Sequence, residues 1–600
     1  MKQELTAFRQ IMKEEGIDLY ITKDADDHIS EYNDRYFSTM EFISGFTGGD
    51  GTLVITPDEA GLWTDGRYFI QAAMELEGSG IVLRKEGEPD CPDMENWIRD
   101  AVPAGGTVGF DGRCISCNSA ERLLRKLRAK KVSVKCDKDL VGKIWTEGRP
   151  GKRAEKIWIL EEKYAGKSAA QKLESLRTEL DSRGAGALLI SAMDEVAWLL
   201  NLRGDDVPYN PVFDAFFLID GDLKKLYVSA EHLTDDVTSY LGSLGVEISY
   251  DTEEIYCDVS GIRSGTVLAD GNSCSYRLLS SLPAEAELIN EMDPVELAKN
   301  RKNPTEAANL VKAQIKDSIA VTRFMYWFKK ALEEQLPLTE MSAAAKLHEF
   351  RSQQEGFLGD SFSTISAYGP NAAMCHYEPS EEKPVGILPK SLYLVDSGGH
   401  YPEGTTDITR TWSCGGITDE EKKAYTLTAA ANLRLADLVF PEGTSGLTLD
   451  LAAREIFWEN GMDYNHGTGH GVGYLLYVHE SPANIRFRAN AGTVNNTMEE
   501  GVYVSDEPGF YAEGRFGVRL ENMVLVEKAF TNGFHTFMKF RTMTLVPFDR
   551  SCIDIRLLTE KDRKLYDAYH HKVLEVIGPE LPEEERNWLI RMCRPICEDC

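Results

Sequence analysis

The sequence predicts a mixed α/β and α+β protein, in which two related α/β domains precede a larger α+β domain. Its 600 residues exceed what one hydrophobic core holds, since cores stop growing near about 250–300 residues. Up to residue 302, helix-like and strand-like segments alternate in two similar series. After residue 303, strands joined through turns accompany long helical segments, which is the pattern of an α+β domain.

The first domain is predicted over residues 1–150. A helix over 5–15 ends at Gly16, and the glycine-rich segment 41–51 predicts a loop that is free to adopt positive φ. Arg67 stands where a strand gives way to a helix; it either pairs with Asp65, which the sequence favours, or serves as a site residue. Runs of apolar, β-branched and aromatic residues predict strands at 19–22, 52–56, 61–64 and 81–83.

The second domain, residues 151–302, repeats this plan. A helix is predicted over 169–182 and strands over 187–190 and 215–219, with the segment 194–204 between the strands. In both halves an aromatic, an apolar and a small or polar residue precede a glycine-containing loop and a strand. This similarity indicates two related α/β domains.

The third domain, residues 303–600, begins with a helix-start signal. Asn303 is placed as the N-cap, Pro304 at the first helical position and Glu306 three residues after the cap. Further helices are predicted from about 339, from the capping box that begins at 418, over 447–460 and in the tail from 559. Strands are predicted at 392–397, 407–412, 502–506, 518–527 and 537–546.

Composition excludes several classes of function. The net charge of −31 argues against a nucleic-acid surface, which needs basic patches. The N-terminus has no apolar signal region, and no apolar run approaches the roughly 18 residues of a membrane span. We therefore expect a cytoplasmic protein that binds neither nucleic acid nor membrane.

The cysteines predict reduced thiols. Twelve cysteines in 600 residues are too few for a disulfide scaffold. Two CxxC pairs, Cys114 with Cys117 and Cys597 with Cys600, leave a structural zinc site as an alternative. The two pairs lie at distant chain positions and the first has no neighbouring glycines, which argues against that alternative.

Four carboxylates of the third domain stand at predicted strand ends beside glycine or proline. Asp396 ends one strand and Asp407 begins the next, so a hairpin would bring two anions together and invite a cation between them. Glu507 and Glu521 repeat this arrangement on consecutive strands around a glycine-bearing turn. An aspartate beside glycines is usually a turn former, but four such carboxylates in one domain make that explanation poor.

An imidazole completes the set. His470 follows Gly467-Thr468-Gly469, where small residues let the backbone approach a ligand. Buried carboxylates are costly unless they are paired or bind metal, so the five side chains predict a two-metal hydrolytic centre. Four carboxylates and one imidazole form an oxygen-rich set that favours Mn²⁺ or Co²⁺, while Zn²⁺ stays open because occupancy in the cell depends on availability.

The motif residues resemble those of the pita-bread metallopeptidases, and within that family the three-domain Xaa-Pro aminopeptidases. The similarity extends to the segment 63–69 and to the overall length, so it spans nearly the whole chain. The matching blocks are His376-Tyr377-Glu378-Pro379, Asp396-Ser397-Gly398, Thr405-Thr406-Asp407-Ile408-Thr409-Arg410-Thr411, His466-Gly467-Thr468-Gly469-His470-Gly471-Val472-Gly473, Val478-His479-Glu480, Asp506-Glu507-Pro508-Gly509 and Arg519-Leu520-Glu521-Asn522.

The resemblance implies two creatinase-like domains followed by a pita-bread catalytic domain, and a role for each ligand. Asp396 would chelate one metal ion, His470 and Glu507 would hold the other, and Asp407 and Glu521 would bridge them. A metal-bridging hydroxide would attack the scissile carbonyl, and Glu507 would pass a proton to the leaving nitrogen. The expected reaction is release of the N-terminal residue from peptides with proline at the second position.

The resemblance also implies residues around the metals and an assembly. His376, His466 and His479 would bind substrate or stabilise the tetrahedral intermediate. Arg67 of the first domain would help to close the site, and the enzyme would be a homodimer. Two alternatives stay open: a prolidase that cleaves only Xaa-Pro dipeptides, and a non-catalytic relative that binds peptides or proteins with the same fold.

Overall fold

The computed structural model describes residues 2–263, 265–489 and 497–596. The chain divides into two compact units. The first unit comprises residues 1–161 and 167–296, and the second comprises 162–166 and 297–600. Within the described residues, no helix is long and apolar enough to span a membrane.

The two CxxC pairs cannot be compared in the structure, because Cys597 and Cys600 lie outside the described residues. In the first pair, burial raises the pKa of the Cys114 and Cys117 thiols.

The described part of the first unit contains two six-stranded sheets that have the same strand order. In each sheet the first strand in the sequence lies centrally, antiparallel to the second strand and parallel to the fifth. In spatial order the first sheet contains Val82–Lys85, Ala60–Thr64, Thr52–Ile55, Leu19–Lys23, Thr107–Phe110 and Ser133–Lys135. The second contains Glu247–Ser249, Leu223–Val228, Ala215–Asp220, Ala187–Ile190, Thr266–Ala269 and Glu287–Asn290.

Shared strand order and shared strand directions confirm the prediction of two related α/β domains. An amphipathic helix precedes each central strand and ends at a glycine with positive φ, Gly16 or Gly184. The helices of this unit are Gln3–Glu15, Thr39–Ser44, Phe69–Glu75, Met94–Ala101, Cys117–Leu127, Ala169–Arg183, Met193–Leu199, Asp235–Ser243, Glu254–Ser260 and Tyr276–Leu279. A two-stranded ribbon pairs Trp158–Ile159 with Leu202–Arg203.

The predicted glycine-rich loop at 41–51 is wrong over its first four residues. They belong to the helix Thr39–Ser44, which buries Met40 and Ile43 in the core of the first domain. Gly45 ends the helix with φ of 74°, and it is the position in this segment where positive φ is used. Burial of the apolar face therefore overrides the loop tendency of the glycines that follow.

The second unit is built on the helix Pro304–Glu333, which begins as predicted. Asn303 accepts from the amides of Thr305 and Glu306, and the Glu306 side chain accepts from the Asn303 amide, which completes the capping box. The other helices are Glu162–Ala165, Glu340–Ser352, Asp419–Ala436, Gly446–Leu449, Leu451–Glu459, Glu560–Ile577 and Glu583–Met592, and Pro294–Asn300 lies where the two units meet in sequence. The helix predicted over 447–460 is thus two helices that meet at Asp450.

Two larger sheets and several ribbons complete the described part of the second unit, and they confirm the α+β class. A three-stranded sheet contains Ile365–Tyr368, Leu392–Ser397 and Ile408–Ser413. A six-stranded sheet contains Val439–Pro441, Thr536–Thr542, Asn522–Thr531, Tyr503–Asp506, Gly469–Gly471 and Glu480–Ile485. Ribbons pair Leu338–Thr339 with Gly386–Ile387, Gly359–Asp360 with Gly399–Tyr401 and Gly404–Thr405, and Gly509–Ala512 with Phe516–Arg519.

The prediction of one continuous strand over 518–527 is wrong. The break between two strands places Glu521 at the candidate site. The chain leaves the ribbon after Arg519 and enters the six-stranded sheet at Asn522. Between them, the amide of Glu521 donates to the carbonyl of Thr409 at 3.0 Å, in the neighbouring three-stranded sheet. This one backbone hydrogen bond joins the two sheets at Glu521, and the need to satisfy it interrupts the ladder.

Candidate metal centre

Asp396 and Asp407 lie at one end of the hairpin formed by the strands Leu392–Ser397 and Ile408–Ser413. Asp396 pairs in register with Thr409, and Asp407 immediately precedes its strand. Both aspartates are buried. Gly398 is required here because a Cβ atom would lie 2.0 Å from the carbonyl oxygen of Thr406. The hairpin therefore brings the two carboxylates to the same edge of the sheet, as the sequence predicted.

Glu507 and Glu521 flank a second antiparallel pair. Asp506 and Asn522 are partners in the six-stranded sheet, so Glu507 leaves that pair on one strand and Glu521 enters it on the other. Thr409 Oγ1 donates to Glu521 Oε2 at 2.8 Å, which connects this pair to the Asp396 hairpin. The four carboxylates therefore come from two hairpins whose ends meet.

His470 faces the carboxylates with a defined ring nitrogen. Its Nδ1 lies 2.9 Å from the carbonyl oxygen of Gly471; because a carbonyl only accepts, Nδ1 carries the proton. Its Nε2 lies 3.5 Å from Asp407 Oδ2 and 3.4 Å from Glu507 Oε1. A Cβ atom at position 469 would lie 1.9 Å from the Ser505 carbonyl oxygen, so glycine before His470 allows this close approach.

The cluster is electrostatically incomplete within the described residues. Asp407, His470 and Glu521 each offer a ligand atom within 4.8 Å of the others. The buried oxygens Asp396 Oδ1 and Glu521 Oε1 accept no hydrogen bond from the described residues. Oxygens of this kind are costly to bury without a partner, and cations placed among them would supply one.

The pKa values of three of these carboxyl groups also indicate that the cluster needs added positive charge. Burial, together with the charges of Glu521 and Asp396, raises the pKa of Asp407 well above its usual range. Burial and the charges of Asp396 and Glu507 do the same for Glu521, and burial raises the pKa of Glu507 to about 7. Asp407, Glu507 and Glu521 are thus unstable as three anions together without added positive charge, and the oxygen-rich donor set fits hard or borderline divalent ions.

Arg519 and Tyr511 are site residues that the sequence prediction missed. Arg519 Nη2 donates to Asp396 Oδ2 at 2.6 Å, and Arg519 Nη1 donates to the Tyr511 hydroxyl at 2.8 Å. The Tyr511 hydroxyl in turn lies 2.7 Å from His466 Nε2. Arg519 stands two residues before Glu521 within the predicted strand 518–527. Because alternate residues of a strand share a face, this spacing could have indicated that Arg519 lies beside the ligands. Tyr511 carries no comparable signal.

The three predicted histidines occupy different surroundings. The His479 ring contacts the His470 ring, with centroids 4.2 Å apart. The His466 ring is held between the Tyr511 hydroxyl and the Gly467 carbonyl, which lies 2.7 Å from Nδ1. His376 follows Cys375, whose carbonyl oxygen accepts from Arg519 Nη2 at 3.2 Å. The His479 ring is therefore connected to the cluster through His470, and the His466 ring through Tyr511 and Arg519, whereas for His376 the contact to Arg519 is made by the backbone of the preceding residue.

Arg67 belongs to the first unit, whereas the other predicted site residues belong to the second. Its guanidinium donates to both carboxylate oxygens of Asp65, at 2.7 to 3.1 Å, and to Asp50 Oδ2 at 3.0 Å. This is the pairing that the sequence favoured. A role for Arg67 in substrate binding stays a prediction.

Comparisons with known proteins agree with this geometry. The model of metallopeptidase family M24 matches residues 308–528, and the model of the C-terminal region of peptidase M24 matches 536–596. Two creatinase/prolidase N-terminal domain models match residues 5–139 and 148–306. A protein of Botryotinia fuckeliana named "Probable Xaa-Pro aminopeptidase P" is 37% identical over 99% of this chain and 93% of its own length. The chain belongs to metallopeptidase family M24.

Two further relatives cover nearly the full length of the chain. A protein of the same name from Sordaria macrospora is 38% identical over 98% of both chains. The crystal structure described as X-prolyl aminopeptidase from Caenorhabditis elegans, "a cytosolic enzyme with a di-nuclear active site", superposes with a TM-score of 0.95. It is 31% identical and covers 99% of each chain. The predicted fold of this M24 member, creatinase-like domains followed by a pita-bread domain, is confirmed.

Proposed function

We propose that this M24 chain is a dinuclear-metal aminopeptidase that releases the N-terminal residue from peptides with proline at the second position. The observation that carries the proposal is the meeting of four carboxylates and one imidazole at the ends of two hairpins, where Asp396 Oδ1 and Glu521 Oε1 are buried and accept no hydrogen bond from the described residues. The full-length relatives named for Xaa-Pro aminopeptidase activity support the choice of substrate.

Five side chains would hold the ions. Asp396 would chelate one ion, His470 and Glu507 the other, and Asp407 and Glu521 would bridge them, with Mn²⁺ preferred by this donor set. When bound, two divalent ions lower the pKa of water to near neutrality and polarise a carbonyl group. Asp407 and Glu521, whose pKa values burial raises most, gain most from that positive charge.

The protein's own residues orient these ligands. Thr409 donates to Glu521, and Arg519 donates to Asp396, so each of these carboxylates keeps its other oxygen for an ion. The His470 Nδ1 proton on the Gly471 carbonyl holds the tautomer whose Nε2 lone pair faces the carboxylates. These contacts hold the ligand set in place before substrate binds.

Proton transfer and substrate contacts would come from Glu507 and the histidines. Glu507 has a carboxyl group whose pKa burial raises to about 7, and it would carry the proton to the leaving proline nitrogen. His376, His466 and His479 would bind the substrate or stabilise the tetrahedral intermediate. An Xaa-Pro bond has no N–H, so a site without an acceptor at that position is not penalised by proline.

We infer a cytoplasmic location and a homodimeric assembly. The cytosolic description of the similar C. elegans enzyme supports the location. Sedimentation of the full chain at micromolar concentration tests the dimer. A single monomeric species across the concentration range would contradict it.

Peptide hydrolysis by the metal-reconstituted protein tests the function. We expect cleavage of Xaa-Pro-Pro after the first residue and little cleavage of Xaa-Ala-Pro. Equal rates on both peptides would remove the proline requirement. Cleavage of an Xaa-Pro dipeptide alone, with longer peptides untouched, would instead identify a prolidase. Absence of bound metal, together with inactivity after Mn²⁺, Co²⁺ or Zn²⁺ addition, would favour the non-catalytic alternative.

A further inference from the structure

A buried arginine outside the metal cluster holds the segment that carries His466. Arg454 lies on the helix Leu451–Glu459, which packs into the main core of the second unit through Ala453, Ile456 and Phe457. Only 2% of Arg454 is exposed. A guanidinium buried to this degree must satisfy its donors within the protein, and the acceptors it uses define its role.

The donors of Arg454 reach both ends of one segment. Nε donates to Asp450 Oδ2 at 2.7 Å, on the helix side, and Nη2 donates to the His466 carbonyl oxygen at 2.6 Å. Nη1 donates to Asp463 Oδ1 at 2.7 Å and to the Tyr464 carbonyl oxygen at 2.8 Å. A planar guanidinium holds such acceptors in one fixed geometry, which an ammonium cannot reproduce.

A second layer of contacts closes the segment on itself. Thr468 Oγ1 donates to Asp450 Oδ1 at 2.6 Å, because a carboxylate only accepts. The Thr468 oxygen therefore receives the proton of the Tyr464 hydroxyl at 2.6 Å, and the Tyr464 ring lies under the Arg454 guanidinium at 3.8 Å. Asp450 thus binds Arg454 with one oxygen and Thr468 with the other.

The C-terminal end of this segment leads to the metal centre. Beyond His466, the Thr468 carbonyl oxygen accepts from the amide of Glu507 at 2.8 Å, and His470 follows two residues later. The His466 ring reaches the Tyr511 hydroxyl at 2.7 Å, so its position depends on where Arg454 holds the His466 backbone. The sequence offers no motif for this contact, since Arg454 precedes His466 by 12 residues in a separate helix.

We propose that Arg454 is a positioning residue that holds His466 at the reaction centre through four hydrogen bonds to residues 450–466. None of its described hydrogen bonds goes to a proposed metal-ligand carboxylate, and it acts through the backbone of His466. The inference rests on the proposed function for its effect on catalysis, but not for its effect on the segment itself. Displacement of a reacting group by about 1 Å costs up to roughly 100-fold in rate.

The test substitutes Arg454→Lys, which keeps the buried charge beside Asp450 and removes the planar donor set. We expect kcat on an Xaa-Pro-Pro peptide to fall about 10- to 100-fold while KM changes by less than roughly threefold, since a displaced His466 perturbs the hydrogen bonds that run through Tyr511 and Arg519 to Asp396 more than it perturbs substrate binding. Amide hydrogen exchange of a peptide covering 463–468 should rise in the same variant, with metal content unchanged.

Arg434→Lys is the matched control. Arg434 also sits on a helix of the second unit, Asp419–Ala436, and donates to Asp562 with Nε at 2.8 Å and Nη2 at 2.9 Å, without a contact to residues 463–468 in any described hydrogen bond. We expect its kcat and the exchange of 463–468 to match the wild type. Equal losses in both variants would identify a general loss of stability and overturn the positioning role.

The remaining outcomes separate this inference from the proposed function. An active wild type with unchanged kcat and exchange in Arg454→Lys, or with a change in KM alone, overturns the role of Arg454. A wild type inactive on Xaa-Pro peptides overturns the proposed function, and the exchange measurement then still decides whether Arg454 holds the segment. If Arg454→Lys does not fold, Asp463→Ala replaces it, because the Asp463 side chain is 47% exposed and its loss removes one of the four contacts.

Discussion

Among the described residues, two clusters place one histidine beside two carboxylates. They differ in how the repulsion between the carboxylates is offset. Asp27, His28 and Asp214 lie in the first unit, and Asp407, His470 and Glu521 lie in the second. In each trio the ligand-type atoms lie within 4.8 Å of one another. The difference lies in where the positive charge comes from.

The first cluster contains its own cations. Lys152 Nζ donates to Asp27 Oδ2 at 3.1 Å and to Asp214 Oδ2 at 3.0 Å. His28 Nδ1 lies 2.7 Å from the carbonyl oxygen of Ser191 and Nε2 lies 2.9 Å from Asp214 Oδ1, so both ring nitrogens face acceptors. Burial alone lowers the pKa of His28, but Asp214 and Asp27 outweigh it and raise that pKa to about 9. His28 is therefore an imidazolium at neutral pH.

The second cluster depends on cations from outside. The Nε2 atom of His470 stays 3.4 to 3.5 Å from the carboxylates, which is longer than a good hydrogen bond. Among the described residues Arg519 donates to Asp396, while Asp396 Oδ1 and Glu521 Oε1 keep no donor. Ligand types alone therefore do not distinguish the two clusters. In the first, Lys152 binds both aspartates; in the second, Arg519 binds Asp396, but no described lysine or arginine donates to the carboxylates of Asp407 and Glu521.

The largest expected effect separates the clusters by metal content. Asp407→Ala should lower kcat/KM on Xaa-Pro-Pro below about one thousandth of wild type, because Asp407 is the residue proposed to hold both ions and they would supply the nucleophile and the Lewis acid. Elemental analysis after dialysis should show fewer ions per chain. Asp27→Ala is the control in the other cluster, and a loss of metal there would contradict the distinction drawn above.

Removing the shared carboxylate of the first cluster should destabilise the first unit. Asp214→Ala removes the carboxylate that both His28 and Lys152 bind most closely and leaves only Asp27 beside them, which costs about 3 kcal/mol of unfolding free energy for a buried pair. Denaturant unfolding of the full chain, with amide exchange of the strand Ala187–Ile190 as the local probe, measures it. Metal content equal to wild type is expected, and an unchanged midpoint would count against the ion network.

The raised pKa of His28 predicts how stability varies with pH. Its folded pKa of about 9 exceeds the unfolded value of 6.5, so the contribution is fully present below about pH 6.5 and is lost as pH rises through about 9. The full contribution is about 3 kcal/mol. Exchange of the strand Ala187–Ile190 between pH 6 and 10 should reveal it, and His28→Gln should flatten the curve; parallel curves would refute the assignment.

The smallest expected effect concerns the hydrogen bond that Thr409 donates to the carboxylate of Glu521. Thr409→Val removes the donor to Glu521 Oε2 and should weaken metal affinity about 10- to 100-fold, as loss of a contact to a ligand does. Thr409→Ser keeps the hydroxyl and should bind metal like the wild type. Titration of the metal-free protein with Mn²⁺ measures both, and equal affinities in the two variants would show that the hydroxyl is not needed.

Some of the site could be predicted because its signals are local. The strand at 392–397, the two aspartates and the glycine before His470 are all read from neighbouring residues, and the structure brings them together. Arg519 was missed although it stands two residues from Glu521. Tyr511 and Arg454 could not be found, because each acts through a contact between segments that are distant in sequence.

The sequence by itself determined the element types, the repeated α/β plan and the candidate ligands, since periodicity, capping boxes and glycine positions act over a few residues. Tertiary structure alone decided that the 518–527 strand breaks at Glu521, because the Glu521 amide finds its acceptor on Thr409 of another sheet. It also decided that Lys152 binds both aspartates of the first cluster, whereas no described lysine or arginine donates to the carboxylates of Asp407 and Glu521. Both outcomes depend on contacts between segments that are distant in the chain, and local sequence patterns do not specify such contacts.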